Sequence, residues 1–379
     1  MKNTNKILVG IYIILFFNFG LQAQATQNPT KVDDDYGWTF YLRINNYTVN
    51  SATANNALSV NNAFFINRLS GGRIAYTSPS SGNFTGNGVD FGFGVRHGRL
   101  FKSNLLFSNA NLRDSESTAL VLDTINTYSF FGSSNISINA TSLSQYSYAN
   151  NTLQTGRISY VGEFFPFHSL GALLSKLGIR IGPELYANGL KMKSPYNVYA
   201  ISGSSTINST VVPLSTTSLD LVSQDKLTYN EGFGNVVIGL SYALDIKNLR
   251  IDLTADYFKS LSSEGNYKSS YYMFSIFPTE IKSKGSFNTD LSGYRLLFGF
   301  KYQFLENFGM RFSAGMTEAM HNVKNSKFKD GSGTSINAIF SLFSGNALPI
   351  LLSSQPGFGP NPSSIDKRTQ VGFEFFLRF

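Results

Sequence analysis

The chain has 379 residues, of which 42% are apolar, 15% aromatic and only 14% charged, with a formal net charge of +8; an ordinary soluble domain is roughly a quarter charged. Mean hydropathy is −0.07, which excludes a helical membrane protein, since that needs several runs of about 20 apolar residues, and the aromatic content excludes a disordered chain. Cysteine is absent, so disulfides, thiolate zinc sites and a cysteine nucleophile are excluded too.

The first 25 residues predict a secretory signal peptide: Lys2 and Lys6 precede an apolar run over 7–21, and the small residues Ala23 and Ala25 follow as cleavage sites. Removing the two lysines leaves a net charge of +6 on residues 26–379, which are read as one domain. Asp33, Asp34 and Asp35 are read as a solvated leader.

From there the chain alternates with period two in many short segments, the mark of a strand with two unlike faces. In 36–45, Trp38, Phe40, Leu42 and Ile44 alternate with Thr39, Tyr41, Arg43 and Asn45. In 89–96, Val89, Phe91, Phe93 and Val95 alternate with Asp90, Gly92, Gly94 and Arg96. Similar faces recur around Arg180 and Glu184, over 236–245, around Asp252 and Asp256, over 291–304 with Arg295 and Lys301, and around Arg311. Strands are expected at 36–48, 87–97, 120–131, 156–165, 177–190, 232–245, 249–260, 289–304, 309–320 and 367–379. The segments 49–86, 132–155, 191–231, 261–288 and 321–366 read as long loops rich in Ser, Asn, Gly and Pro, whereas 246–248 and 305–308 are tight turns. Residues 98–119 break the alternation of short and long: a small helix sits at 115–120, or the strand at 120–131 is misplaced. Gly71 and Gly72, between 63–66 and 73–76, signal a hairpin within the first long loop; if it joined the wall the strand count would be twelve. Leu170, Leu173 and Leu174 suggest one helical turn between strands.

Alternation fixes two faces but not which lies outside. A soluble sandwich would put the apolar face inward; a membrane barrel puts it outward. The aromatic character of the apolar faces, the Gly, Arg, Asp and Glu opposite them, the signal peptide and the regular exchange of short turns with long loops favour the barrel.

The last segment carries a family resemblance. Val371, Phe373, Phe375, Leu377 and the final residue Phe379 alternate with Gly372, Glu374, Phe376 and Arg378. This strand resembles the carboxy-terminal assembly signal of bacterial outer-membrane β-barrel proteins, porin-like in general character. The resemblance implies an all-β, antiparallel up-and-down transmembrane barrel of about ten strands, delivery to the outer membrane, and recognition of those alternating residues by the barrel-assembly machinery.

Enzymes occur among such barrels, but the three histidines lack the expected partners nearby: Gly98 and Arg99 follow His97, Ser169 is adjacent to His168, and His321 has no acid within two positions. No catalytic, metal or cofactor site is therefore expected, and the protein is read as not an enzyme. The inward faces instead carry Arg43, Asp90, Arg96, Arg157, Glu163, Arg180, Glu184, Asp252, Asp256, Arg295, Lys301 and Arg311. Two readings stay open. These charges line a narrow pore for small solutes, with a mild anion preference from the excess of Arg, or they pair and seal a structural barrel. In a third, from another class, the closed barrel is an adhesin or receptor acting through its outer loops, and a long loop folding inward would constrict the lumen. Expected partners are membrane lipid and lipopolysaccharide, the latter facing Lys191, Lys193, Lys324, Lys327 and Lys329. The cations are scattered rather than clustered, so nucleic acid is not expected, and the barrel is read as a monomer.

Overall fold

The computed structural model describes residues 36–57, 74–76, 83–125, 136–169, 174–207, 210–219, 223–246, 249–273, 279–305, 307–332 and 363–379. The expected signal peptide, Asp33 to Asp35, the first half of the 63–76 hairpin, Leu170 and Leu173 lie outside them.

Twelve strands are described: β1 (Tyr36–Asn50), β2 (Ile74–Tyr76), β3 (Asn83–His97), β4 (Phe101–Ile125), β5 (Ile136–Phe164), β6 (Leu177–Ile207), β7 (Thr210–Leu219), β8 (Ser223–Ile246), β9 (Leu249–Met273), β10 (Thr279–Gln303), β11 (Phe308–Ser332) and β12 (Ser363–Arg378). Ten of them form a closed wall. The order runs β4-β3-β1-β12-β11-β10-β9-β8-β6-β5, and β4 pairs with β5 to complete the ring. The short β2 pairs with residues 121–123 at the far end of β4, and β7 pairs with the far end of β6. The described arm of the expected first-loop hairpin, β2, therefore adds no strand to the wall, which has ten strands among the described residues.

Closure joins the first and last described strands. β1 and β12 pair antiparallel from Thr39↔Arg378 to Asn50↔Lys367, and the amides of Trp38 and Phe379 each donate to the other's carbonyl at 2.9 Å. A closed ring leaves no strand edge unsatisfied, which a lipid environment requires.

The expected strand at 120–131 is misplaced. After β3 the chain turns within 98–100, where Gly98 takes a φ of 67° that a side chain would disfavour, and β4 starts at Phe101. No helix occupies 115–120. The alternation is weak here because apolar Leu106, Ala110 and Leu112 share a face with Lys102, while Asn109 and Asn111 share the other with Phe107. The expected long loops begin, for the most part, as strand: β5 and β6 have 29 and 31 residues, about three times what crosses a bilayer.

The outward face is the apolar one. Phe40, Leu42 and Ile44 on β1, Phe298 and Phe300 on β10, and Phe373, Phe375 and Leu377 on β12 are all exposed. Their in-between neighbours Arg43, Asn45 and Glu374 are buried inside. Above the charged part of the interior lies an apolar core of Phe233, Val237, Phe258, Leu291 and Ala319 with Tyr186 packed on it.

Candidate functional site: the barrel interior

Nearest the short turns, Lys102 of β4 lies 3.7 Å from Glu163 of β5, which also accepts from the Ser241 hydroxyl. Arg250 Nε donates to Asp252 at 2.8 Å, and Arg311 approaches the same carboxylate at 3.5 Å. The Lys301 ammonium lies over the Phe376 ring at 3.7 Å, a cation–π contact that replaces part of its hydration. Arg96 is held by the Gly98 carbonyl at 3.3 Å and stands over Phe165.

One layer further in, Arg43 donates through Nε to Glu374 at 2.8 Å, with Nη2 at 2.7 Å from the same oxygen. Its Nη1 lies 3.5 Å from Asp90, and Arg311 lies 3.7 Å from Glu374. Arg180 bonds Asp256 at 2.8 and 3.3 Å. Above these, Arg295 contacts both oxygens of Glu184 at 3.2 and 3.4 Å, and Asn235 donates to Glu184 at 3.1 Å. Arg157, on the same inward face of β5, is half-buried. The planar guanidinium suits such two-point pairing; Arg43–Glu374 joins adjacent strands, Arg180–Asp256 spans three and Arg295–Glu184 spans four, so these contacts brace the ring across its interior.

Small residues make room for this filling. The Tyr41 ring lies directly over Gly92, where a Cβ would fall 1.8 Å from its Cζ.

Toward the long-loop end, the chain itself enters the interior of the barrel. After β1, residues 52–57 form a short helix, α1, capped by the Ser51 hydroxyl, which accepts from the Ala54 amide at 3.2 Å. Ser51, Ala52, Thr53, Ala54, Asn56 and Ala57 are all 0% exposed. Thr53 donates to Glu231 of β8 and accepts from Asn188 of β6 at 3.0 Å. The Ala52 amide donates to Asp366 of β12 at 3.2 Å, and Asn56 donates to the His321 carbonyl of β11 at 3.3 Å. Glu231 also accepts from Thr289 at 3.2 Å and faces His321 Nδ1 at 3.4 Å. Arg368 pairs with Asp366 and reaches Asn188 at 3.4 Å. Small, polar α1 is thus tied to four strands of the wall.

Sequence reasoning missed this upper cluster. The distance of 178 positions between Thr53 and Glu231, and of 90 between His321 and Glu231, hides it from any search for neighbours. The usable signal is compositional: the run Ser51, Ala52, Thr53, Ala54 has a helix cap followed by residues small enough to enter a lumen. His97 and His168 lie elsewhere, near the short turns.

These features define a class: a transmembrane β-barrel of the outer-membrane type, apolar and aromatic outside and ion-paired within. No protein-family model matches the chain, and no curated protein matches it. Among solved structures, the chain is similar to the outer membrane protease OmpT from Escherichia coli, with 8% identity, 94% of this chain and 100% of that chain covered, and a TM-score of 0.38. It is also similar to CarO of Acinetobacter baumannii, with 8% identity, coverage of 79% and 93%, and a TM-score of 0.19. For the toluene transporter TodX of P. putida the figures are 8%, 91% and 90%, and 0.19.

Proposed function

We propose that this protein is a closed-lumen outer-membrane barrel that works through its outer strands and loops, as a receptor-like or adhesive surface, rather than as a solute pore. The observation that carries the reading is α1, buried inside the barrel and bonded to Glu231, Asn188, Asp366 and the His321 carbonyl. The ion-pair layers beneath it support the same reading. Porins that conduct freely have 16 or more strands, and barrels near eight are filled by their own side chains; a wall of ten strands is nearer the second group, which supports the closed-lumen reading.

In this reading the inward charges brace the wall instead of selecting ions. No reaction is assigned to the Glu231, His321 and Thr53 cluster, whose three side chains are sealed from solvent. Export would use the signal at 1–25, and assembly the last strand ending at Phe379.

The test is liposome swelling with the refolded, signal-free protein in isosmotic solutions of small sugars and amino acids. The proposal expects the swelling of empty liposomes. Solute-dependent swelling would contradict it and restore the narrow pore.

A further inference from the structure

The outer wall is not uniform above its apolar belt. On the β10–β12 side, exposed lysines stand beside acids: Lys324 pairs with Asp290, and Lys367 lies 3.9 Å from Glu318. On the β6–β9 side the arrangement is reversed. Lys193 of β6 is directly opposite Lys226 of β8. Lys191, two positions below Lys193, is in register with Thr228, which is in register with Lys268 of β9. Lys191 and Lys268 therefore both lie diagonally beside Lys226. All four side chains point outward and are exposed, and no carboxylate is paired with any of them among the described residues. Like charges placed directly opposite on a sheet repel, and a diagonal spacing of about 7–8 Å keeps the others within reach of one anion.

Directly below the lysines the wall is hollowed. One cavity of about 450 Å³ is lined by Gln154, Gly189, Asn230, Asn266 and the exposed carboxylate of Glu264 among others. It shares Asn109, Gly156 and Ala187 with a second cavity of about 530 Å³, lined by Val89, Phe91, Phe107, Ile158 and Leu185. The floor is open because its residues are small: a Cβ on Gly156 would meet nothing within 4 Å. From Leu185 to Lys191 is about 20 Å along the strand. The sequence of surfaces going up the wall is thus apolar groove, a polar groove of amides with Glu264 at its β9 side, and cationic cluster.

We propose that this wall is a binding site for one phosphate-bearing membrane lipid. Its phosphate sits on the cluster around Lys226, its polar linkage lies against Asn230 and Gln154, and an acyl chain descends over Phe107 and Ile158 in the apolar groove. The occupant is a lipid rather than a free anion because the cluster is continuous, through the grooves, with the face the barrel presents to lipid. The inference is independent of whether the lumen conducts.

Native mass spectrometry of the full refolded protein in detergent tests it, with bisphosphorylated lipid A as the probe and dephosphorylated lipid A and inorganic pyrophosphate as comparisons. One bisphosphorylated lipid A per chain is expected, held about tenfold or more tightly than the dephosphorylated form. The K193Q/K226Q pair loses that preference, while K324Q/K367Q keeps it. Gly156→Leu fills the groove without touching a charge and weakens retention of both lipids, which covers the case of a lysine variant that does not refold. Equal retention of the two lipids, or equal loss in both lysine pairs, would overturn the proposal. So would displacement of the lipid by pyrophosphate at matched phosphate concentration, which would mark a site for free phosphate.

Discussion

Thr53 and Glu231 lie 178 positions apart, and the hydroxyl of the first donates to the carboxylate of the second inside the barrel. That bond fastens α1, the first structure after β1, to the opposite wall at β8. Glu231 is the hub, because Asn188, Thr289 and His321 all converge on it.

Replacing the hub should free the helix before it harms the barrel. In Glu231→Leu, Thr53, Asn188 and Thr289 lose a charged acceptor, and such bonds contribute about 1.5–3 kcal/mol each. Amides 52–57 are expected to exchange with deuterium about tenfold or more faster, while strand amides near Arg43 keep their protection. Unchanged exchange at 52–57 would show that the helix is held by something else.

The seam is braced by charge. Arg43 and Glu374 are register partners across β1 and β12, and Arg311 lies on the other side of Glu374. Glu374→Ala leaves buried guanidinium groups without their carboxylate and should destabilise the barrel by about 3–5 kcal/mol. The triple change Arg43→Met, Asp90→Asn and Glu374→Leu should recover most of that loss, since it also removes the buried Asp90 charge that Arg43 offsets, and well-packed neutral groups often replace buried ion pairs at little cost. Urea unfolding in lipid vesicles measures both.

Gly92 is constrained by space. Gly92→Val pushes into the Tyr41 ring, which is enclosed by the ion-pair layer around Arg43. A loss of about 1–3 kcal/mol is expected, read in the same unfolding experiment, and Tyr41→Ala on the Gly92→Val background should remove the clash.

How far the sequence carried these results depended on what alternation can report. It located the β1 and β12 faces, with Arg43 opposite Ile44 and Glu374 opposite Phe375, because there each pair of neighbours differs sharply in polarity. It failed in β4, where Leu112 packs inward and Asn111 faces outward, so the polarity contrast that marks a strand is lost. It could not show that the inward charges pair: Arg295 and Glu184 are separated by 111 positions, and their meeting is a property of ring closure. Nor could it place α1, since a helix of small residues in a Ser- and Asn-rich stretch has the composition of an exposed loop.

The last strand makes a separate prediction about assembly. Phe379 is 69% exposed on the outer face and packs edge-on against Phe40 at 6.2 Å. Phe379→Ala removes little from the folded wall, because the backbone bonds to Trp38 remain. Recovery in the outer membrane of cells should fall severalfold, while refolding of the purified chain into detergent should change little. An equal loss in both settings would point to folding rather than to recognition of the strand.

The closed lumen is tested most directly by single-channel recording of the refolded, signal-free protein in a planar bilayer, after heat-modifiable mobility has shown the barrel to be folded. The bilayer is expected to stay silent at both polarities, with α1 seated on Glu231 and the ion pairs of Arg43, Arg180 and Arg295 in place. Stable, reproducible conductance steps from the folded protein would contradict the account and turn the same arginines into the lining of a pore.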